Sequence, residues 1–193
     1  MAKIKLQDVR LSFPDLFTPV GFEEGDKKLR YNATFLVVPG SENDKAIRAA
    51  IDAAAEEAWP KKSAAMLESF KGNSNKYCYL NGDTKDYDGY EGMMYLSSHR
   101  GSGDGAPAVK GADIDPSTGK VRDLKAEDGI PYAGCYVHAV VEIYAQSNKY
   151  PGIRCGLVGV QFVRDGDAFS GASRAKDGDF EPITEGISAG DLG

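Results

Sequence analysis

The sequence predicts a mostly β domain, a partly closed antiparallel barrel of five or more strands with one amphipathic helix capping it. Three observations support this fold class. Residues 130–163 contain two β-rich runs around a polar break, residues 3–13 alternate with a change of phase, and residues 41–59 carry a helical pattern. The 193 residues suffice for one domain with a sizeable core, and 23 glycines between apolar runs favour short strands and turns.

The two runs in residues 130–163 organise the predicted fold. In the first run, one face carries Ala133, Cys135, Val137, Ala139, Val141 and Ile143, and the other carries Tyr132, Tyr136, His138, Glu142 and Tyr144. In the second run, Ile153, Cys155, Leu157 and Val163 lie opposite Arg154, Val158, Val160 and Phe162. Because side chains alternate across a strand, the runs predict a sheet with one apolar and one aromatic, polar face. The break QSNKYPG predicts that they pair as an antiparallel hairpin.

Two further strands are expected near the N-terminus. Residues 3–13 alternate but slip at Gln7–Asp8, which predicts a β-bulge, and Pro14 is expected to end the strand. After the slip, one face is shared by Val9, Leu11 and Phe13. The second strand spans residues 29–38, and its polar face carries Arg30, Asn32 and Thr34.

One helix is predicted clearly. Ser41 followed by Asp44 resembles a capping box, apolar residues then recur at helical spacing as far as Trp59, and Pro60 stops the helix. This helix is expected to cap the barrel core, with Trp59 as a packing anchor. A shorter helix is expected over residues 62–70.

Residues 71–128 are rich in Gly, Asp, Asn, Ser and Tyr, with short strands between the turns. A strand is predicted over residues 92–99, and the turn DPSTGK predicts a small hairpin of residues 109–114 and 121–124. Repeats and interdomain linkers are absent from the sequence, so residues 1–176 are predicted to form one domain.

The formal net charge of −6 is unevenly distributed. The last 17 residues contain no Lys or Arg but five acids, Asp177, Asp179, Glu181, Glu185 and Asp191, which leaves −1 on residues 1–176. Residues 177–193 are therefore expected to form an acidic, disordered tail. Such a tail either competes with phosphates for a basic groove or docks partner proteins. No apolar run is long enough to span a bilayer and the N-terminus lacks a signal-peptide pattern, so a cytoplasmic location is expected.

Several kinds of chemistry find no support in the sequence. The three cysteines, Cys78, Cys135 and Cys155, lack the spacing of a metal site and are expected to be buried free thiols. Aligning Gly89 with the invariant glycine of a calcium loop puts Thr84 and Tyr95 where carboxylates are required. The glycines of GSGDG (residues 101–105) are not followed by a helix that could bind a phosphate. We therefore expect neither a metal or cofactor nor enzymatic activity.

Aromatic residues interleaved with basic ones remain as a functional signal. They occur at Lys76-Tyr77, at Tyr95 with His99-Arg100, and at Tyr136 with His138. Proteins that bind single-stranded nucleic acids stack bases on flat rings and hold the backbone with nearby cations. The alternative is that tyrosines simply fill barrel walls and turns, since amphipathic rings suit half-buried strands.

Segments along the whole chain resemble one family of tailed-phage replication proteins recognised as single-stranded-DNA-binding proteins. They are VRLSFPDLFTP, RYNATFLVVP, DYDGYEGMMYLSS, PYAGCYVHAVVEIYA and GLVGVQFVRDGDAFSG, and the resemblance covers residues 5–180 in order and spacing. It implies an oligonucleotide/oligosaccharide-binding (OB) barrel that acts with phage replication and recombination enzymes in the infected bacterial host. It also implies an acidic C-terminal tail, which here ends in DLG rather than in an aromatic residue.

Strand phase and charge suggest which residues would bind the DNA. The predicted phosphate contacts are Lys5, Arg30, Arg100, Lys110 and Arg154. The predicted stacking rings are Tyr77, Tyr79, Tyr95 and Tyr136. Two alternatives stay open: an RNA-binding or strand-annealing protein on the same fold, and a phage structural module whose tyrosines pack against another protein. A nuclease is a more distant alternative.

Overall fold

A computed structural model describes residues 2–21, 23 and 25–170. In this part of the chain, eight strands and two α-helices follow one another. They are β1 (Ala2–Val20), β2 (Arg30–Val37), α1 (Glu42–Ala58), α2 (Ser63–Phe70), β3 (Tyr79–Asn81), β4 (Met94–Gly101), β5 (Ala108–Asp115), β6 (Lys120–Asp123), β7 (Tyr136–Gln146) and β8 (Gly152–Arg164). The predicted helices and both predicted hairpins, β5–β6 and β7–β8, are confirmed.

Five of these strands close a barrel in the order β4-β2-β1-β7-β8. Neighbours in this order are antiparallel, and the barrel closes through a parallel pair of β4 and β8, with His99 opposite Gly156. β3 extends the sheet beyond β4, and the β5–β6 hairpin extends it beyond β8. The predicted fold class, a mostly β barrel resembling the OB fold with a capping helix, is confirmed.

The capping helix α1 is held by the interactions that its sequence indicates. The Ser41 hydroxyl accepts a hydrogen bond from the Asp44 amide at 3.3 Å, which satisfies one of the free N–H groups of the first turn. The Asp44 carboxylate accepts further bonds from the Gly40 amide at 2.8 Å and the Tyr79 hydroxyl at 2.7 Å. The buried face of α1 consists of Asp44, Ile47, Ala50, Ile51, Ala54 and Ala55, and it packs mainly on β7 and β1.

The predicted β-bulge in β1 is confirmed. The register with β7 shifts between Leu6 and Val9, and Asp8 adopts a φ of 51°. Leu6 and Val9 are both buried although they are three residues apart, which the alternation of a regular strand does not allow. The bulge therefore keeps β1 facing the core on both sides of the bend.

Three predictions about the strands are wrong. β1 continues past Pro14 to Val20, because Pro14 lies in a register shift between Ser12 and Asp15, where the ladder is already interrupted. Phe13, expected on the apolar face, is half exposed. The third error lies in β8.

The β8 strand changes phase where its register with β7 shifts. Val140 pairs with Gly159 and Val141 with Leu157, so Val158 is an extra residue. As a result Val160 is buried in the core and Phe162 packs against it, on the face where Val163 was expected.

One row of residues crosses the outer face of all five barrel strands. Tyr95 is opposite Leu36, Leu36 opposite Arg10, Arg10 opposite Tyr136, and Tyr136 opposite Arg164. Residues 165–170, here called the strap, cover the middle of this row. The Phe169 amide donates to the Ala133 carbonyl at 2.9 Å.

The strap lies very close to the chain at a glycine. Gly134 has a φ of +102°, and a Cβ there would overlap the Asp167 carbonyl oxygen. A glycine is therefore required where the strap crosses β7's start.

All three cysteines are buried and free, as predicted. Burial raises the pKa of the Cys78 thiol to about 12 and that of Cys135 to about 11, so both are neutral thiols. Within the described ranges, no helix is long and apolar enough to cross a membrane. The predicted acidic tail, residues 177–193, lies outside the described residues.

Candidate nucleic-acid interface

A groove with a volume of ≈ 780 Å³ lies on the outer face of the barrel, across β1, β2, β4 and β8. The polar strand face predicted from residues 29–38 forms part of its floor. The side chains that could meet a ligand are Phe13, Asp15, Arg30, Asn32, Thr34, Lys85, Tyr87, Tyr95, Ser97, His99 and Arg154. Its cations, Arg30, Lys85 and Arg154, outnumber its one acid, although residues 1–176 as a whole carry −1.

The polar end of the groove gathers cationic and hydrogen-bonding groups from three strands. Asn32 of β2 is opposite His99 of β4, and Asn32 donates to the Asp15 carboxylate at 3.0 Å. Arg154 of β8 donates through Nη1 to the Asn75 carbonyl at 2.5 Å, which fixes the guanidinium at the groove wall. Burial, and then the charges of Arg30 and Arg154, lower the pKa of His99 below its usual value. His99 is therefore neutral at pH 7 and lies beside two arginines.

The other end of the groove is aromatic. Phe13 and Tyr87 meet edge to face with ring centroids 5.0 Å apart, and Tyr87 meets Tyr90 in the same way at 5.3 Å. Tyr90 continues the series to Tyr95 at 5.5 Å. Phe13 and Tyr87 are each 50% exposed, whereas Tyr90 and Tyr95 are buried. The buried rings thus support two rings that are each half exposed to solvent.

The backbone at Phe13 is strained. Its φ of 46° lies in the left-handed region, which costs a residue with a side chain on the order of 1–3 kcal/mol. The strain coincides with the register shift after Ser12, and it accompanies the turning of the ring from the barrel interior to the groove rim. Such strain is retained most often where it serves a binding site.

This arrangement suits a flexible polyanion with flat, apolar parts. Guanidinium groups form charge-assisted hydrogen bonds with phosphates, and exposed rings stack on bases of any sequence. Among the residues that the structure describes, there is no group of three or more His, Cys, Asp or Glu able to hold a metal ion.

The groove brings together three of the nine residues predicted from the sequence: Arg30, Tyr95 and Arg154. Tyr95 is only 6% exposed, so little of its ring is open to the groove. The two arginines reach it from β2 and β8, strands that are distant in sequence and are neighbours of β4 in the closed barrel.

Two predicted tyrosines lie instead in a second depression, here called the helical cleft, between α1, α2 and β3. Tyr77 is half-buried there, and burial raises its pKa. Tyr79 is 2% exposed and donates its hydroxyl to Asp44, which leaves its ring no open face for a base. The helical cleft has a volume of ≈ 1020 Å³ and shares Ser74, Lys85 and Tyr95 with the groove.

Three predicted cations lie outside the groove. Arg100 donates to the carbonyls of Asp104 and Gly105 at 2.6 and 2.7 Å, so it holds the following loop. Lys110 forms an ion pair with Asp123 across the β5–β6 hairpin at 2.5 Å. Lys5 is exposed on β1, opposite Val140 of β7.

The last predicted residue, Tyr136, forms a separate surface with Arg10 and Arg164, here called the Tyr136 patch. The Arg164 guanidinium lies 3.6 Å from the Tyr136 ring centroid, and that of Arg10 lies 5.8 Å away. Arg164 also forms two bonds, of 3.2 and 2.9 Å, with the Asp8 carboxylate. Tyr136 and Arg164 continue the outer row from Tyr95, and Arg10 lies under the strap.

Sequence reasoning missed Phe13, Lys85, Tyr87 and His99 as groove residues. His99 could have been found, because it shares a strand face with Tyr95, and that face lies beside the polar face of residues 29–38. Phe13 follows an apolar alternation, so nothing in the sequence indicates its outward turn. Lys85 and Tyr87 lie in a loop, whose position depends on the tertiary fold.

Comparisons with known proteins identify relatives of this chain. The family described as "Enterobacter phage Enc34, ssDNA-binding protein" matches residues 2–191. A putative protein p50 of Acyrthosiphon pisum secondary endosymbiont phage 1 is 42% identical over 185 residues, which are 94% of each chain.

Solved structures show the same fold. The Enc34 protein in complex with ssDNA is 26% identical, with a TM-score of 0.63 over 87% of this chain and 89% of that one. The bacteriophage T7 single-stranded DNA-binding protein gp2.5 is 12% identical, with a TM-score of 0.51 over 97% of this chain and 100% of that one, so it supports the fold alone. The resemblance identified in the sequence is confirmed, and the chain belongs to the family of the Enterobacter phage Enc34 ssDNA-binding protein.

Proposed function

We propose that this chain binds single-stranded DNA without sequence preference, in the groove, as part of phage DNA replication or recombination. The observation that carries the proposal is the groove itself, which joins a cationic end around Arg30 and Arg154 to an exposed aromatic end at Phe13 and Tyr87. The solved complex of a family member with ssDNA supports the choice of ligand.

Some residues of the groove contact the phosphate backbone of the DNA, and others contact its bases. Arg30, Lys85 and Arg154 hold phosphates, and neutral His99 and Asn32 offer hydrogen bonds beside them. Phe13 and Tyr87 stack bases, each worth roughly 1–3 kcal/mol. Tyr95 supports these rings through its contact with Tyr90. None of these contacts reads the hydrogen-bonding edge of a base, which is why no sequence preference is expected.

The other predicted residues stay predictions. The burial of Tyr79 and the bonds of Arg100 and Lys110 do not favour direct contact. Lys5, Tyr77 and Tyr136 are accessible enough to meet a strand that leaves the groove. The proposal also includes binding without catalysis, in the cytoplasm of the infected host, and docking of phage replication or recombination enzymes on the acidic residues of 177–193.

The test is fluorescence anisotropy of a labelled DNA strand of about 30 nucleotides, a length that spans more than one typical OB site. We expect tight binding that duplex DNA and RNA of the same sequence displace poorly. Raising the salt concentration should weaken binding. A plot of log K against the logarithm of the salt concentration should have a slope of about −0.7 for each phosphate contact.

Three results would contradict parts of this proposal. Absence of binding at low salt would remove the function altogether. Affinity that does not change with salt would exclude the phosphate contacts. Equal displacement by RNA would favour the RNA-binding or annealing alternative on the same fold.

A further inference from the structure

The β5–β6 hairpin exposes two apolar side chains that the proposed function does not use. Ile114 of β5 and Val121 of β6 are cross-strand partners, 64% and 38% exposed respectively. Ile114 keeps most of its contact with water, so its burial adds little to the stability of the hairpin. β6 is also the last strand of the sheet in the described part of the chain, so its outer edge is unpaired.

The helical cleft is a second depression that the proposed function does not use. Its apolar lining includes Leu67 of α2, Leu80 of β3 and Met94 of β4. Its volume of ≈ 1020 Å³ is in the range that holds a drug-sized molecule, so several side chains fit. Its charged lining is mixed. The cations Arg48 and Lys71 pair with Asp44 and Glu68, and Lys85 is shared with the groove, whereas the acids Asp52 and Glu56 form no ion pair within the described residues.

The hairpin and the helical cleft lie at opposite ends of the seam between β4 and β8. These two strands run parallel, with His99 opposite Gly156. β3 pairs with the start of β4 at Leu96, whereas β5 pairs with the second half of β8 at residues 159–161. The hairpin of one molecule therefore does not fill its own cleft.

We propose that the β5–β6 hairpin of one copy of this chain docks in the helical cleft of the next copy. Ile114 and Val121 meet the apolar lining, and Lys120 at the hairpin tip meets the acids Asp52 and Glu56. Charge complementarity supports this orientation. The hairpin's other two cations in β5 and β6 are already paired, Lys110 with Asp123 and Arg122 with Asp113, whereas Lys120 forms no ion pair within the described residues.

Such a contact joins two different surfaces, so it repeats from copy to copy instead of closing as a two-fold dimer. On a long single strand, each bound copy then offers a docking surface to the next. The contact is thus a structural source of the cooperativity that sequence-independent strand binders commonly show. The measurement of cooperativity on DNA rests on the proposed function, whereas the contact between copies does not.

The experiment compares Ile114→Glu with the matched control Val38→Glu, which places the same charge on an exposed valine outside both surfaces. Each protein is titrated on a short DNA strand that holds one copy and on a long strand that holds several. We expect Ile114→Glu to bind the short strand as the unchanged protein does. On the long strand its cooperativity should fall by about tenfold, the factor that corresponds to 1.4 kcal/mol. Val38→Glu should behave as the unchanged protein on both strands.

A charge swap tests the partner surfaces. Lys120→Glu and Asp52→Lys should each weaken self-association in sedimentation velocity without DNA, and the double variant should restore it. Both positions are exposed, so we expect the variants to fold, and circular dichroism is the check.

Unchanged cooperativity and self-association in all variants would overturn the contact. The hairpin variants alone could lose self-association, with no effect of Asp52→Lys and no recovery in the double variant. That result would place the hairpin on a different surface and overturn its docking in the cleft. Failure to bind the short strand would instead count against the proposed function, and sedimentation would then decide the contact.

Discussion

The groove and the Tyr136 patch contain the same kinds of residues but in different states of engagement. In the Tyr136 patch, the Arg164 guanidinium covers the Tyr136 ring at 3.6 Å and is bonded twice to Asp8. Arg10 donates to the carbonyls of Gly134 and Asp167 at 3.0 and 2.7 Å. In the groove, Phe13 and Tyr87 meet edge to face and each side chain stays 50% exposed.

The difference shows that an arginine beside an aromatic ring is not in itself a nucleic-acid site. In the patch, the Arg164 guanidinium occupies the ring face on which a base would stack, and it donates to the Asp8 carboxylate. Arg10 donates to backbone carbonyls. The patch thereby fastens the strap to the barrel and joins β8 to β1. In the groove, buried rings and the strained backbone at Phe13 hold two aromatic side chains half exposed, so that they are available to a ligand.

Removing both groove arginines should have the largest effect. Arg30→Ala combined with Arg154→Ala removes two charge-assisted contacts, each worth about 1.5–3 kcal/mol, so affinity for single-stranded DNA should fall by more than about 100-fold. The salt slope should become shallower by about 1.4, since two phosphates are no longer neutralised. Anisotropy at several salt concentrations measures both quantities.

The matched control is Arg164→Ala in the Tyr136 patch. It removes a half-exposed ion pair and a cation–π contact, each worth at most about 1 kcal/mol, so it should lower the melting temperature slightly and leave DNA affinity within about threefold. If Arg164→Ala weakens binding as much as the groove variant, the contrast between the two surfaces fails.

Replacing the exposed ring of Phe13 should have the next largest effect. Phe13→Gly removes a stacking surface, so affinity should fall by roughly 5–100-fold, as expected for about 1–3 kcal/mol per base. The free energy of unfolding should change little, because glycine tolerates the positive φ and so offsets the lost ring packing. Anisotropy and thermal unfolding measured together separate the two effects.

Tyr136→Leu sharpens the same contrast. If the strand stays within the groove, this variant should keep its DNA affinity and lose stability, because Arg164 loses the ring on which it lies. Loss of affinity comparable to that of Phe13→Gly would show that the strand continues along the outer row to the patch, as the sequence-based prediction for Tyr136 states.

The sequence was informative wherever a local pattern determines the structure. Alternation and turn residues predicted the β7–β8 hairpin, the phase slip predicted the bulge at Asp8, and Ser41 and Asp44 predicted the start of α1. Each of these features depends on residues that are close together in the sequence, so no tertiary information is needed to predict it.

The site was less predictable, because it is assembled from separate strands. Arg30 and Arg154 were predicted, but only barrel closure between β4 and β8 brings them to one groove. Phe13 and Val163 were placed on the wrong faces, because register shifts change which face a side chain occupies and leave no mark in the composition. Tyr79 was predicted as a stacking residue from its position in the sequence, but it is buried and bonded to Asp44 of α1. Strand phase does not show whether a helix covers a residue.

The smallest expected effect concerns His99, whose pKa in the free protein is lowered first by burial and then by Arg30 and Arg154. Of the charged groups around it in the groove, Asp15 is the acid, and it is bonded to Asn32. Phosphates entering the groove add negative charge and raise this pKa, so the complex takes up a proton. Affinity should therefore rise as the pH falls from 8 to 6, by less than about tenfold, because a full pKa unit corresponds to that factor.

Stability should depend on pH with the opposite sign. Because the pKa of His99 is lower in the folded than in the unfolded chain, the unfolded chain binds the proton more readily. The contribution of His99 to the free energy of unfolding is then fully present above the unfolded pKa of about 6.5 and is lost as the pH falls toward the folded pKa. Both trends should disappear in His99→Asn and persist in His138→Asn, which changes the chain's other histidine. Affinity and stability that fall together with pH in the unchanged protein would mean that phosphates do not reach His99, and the cationic end of the groove would then lose its role in binding.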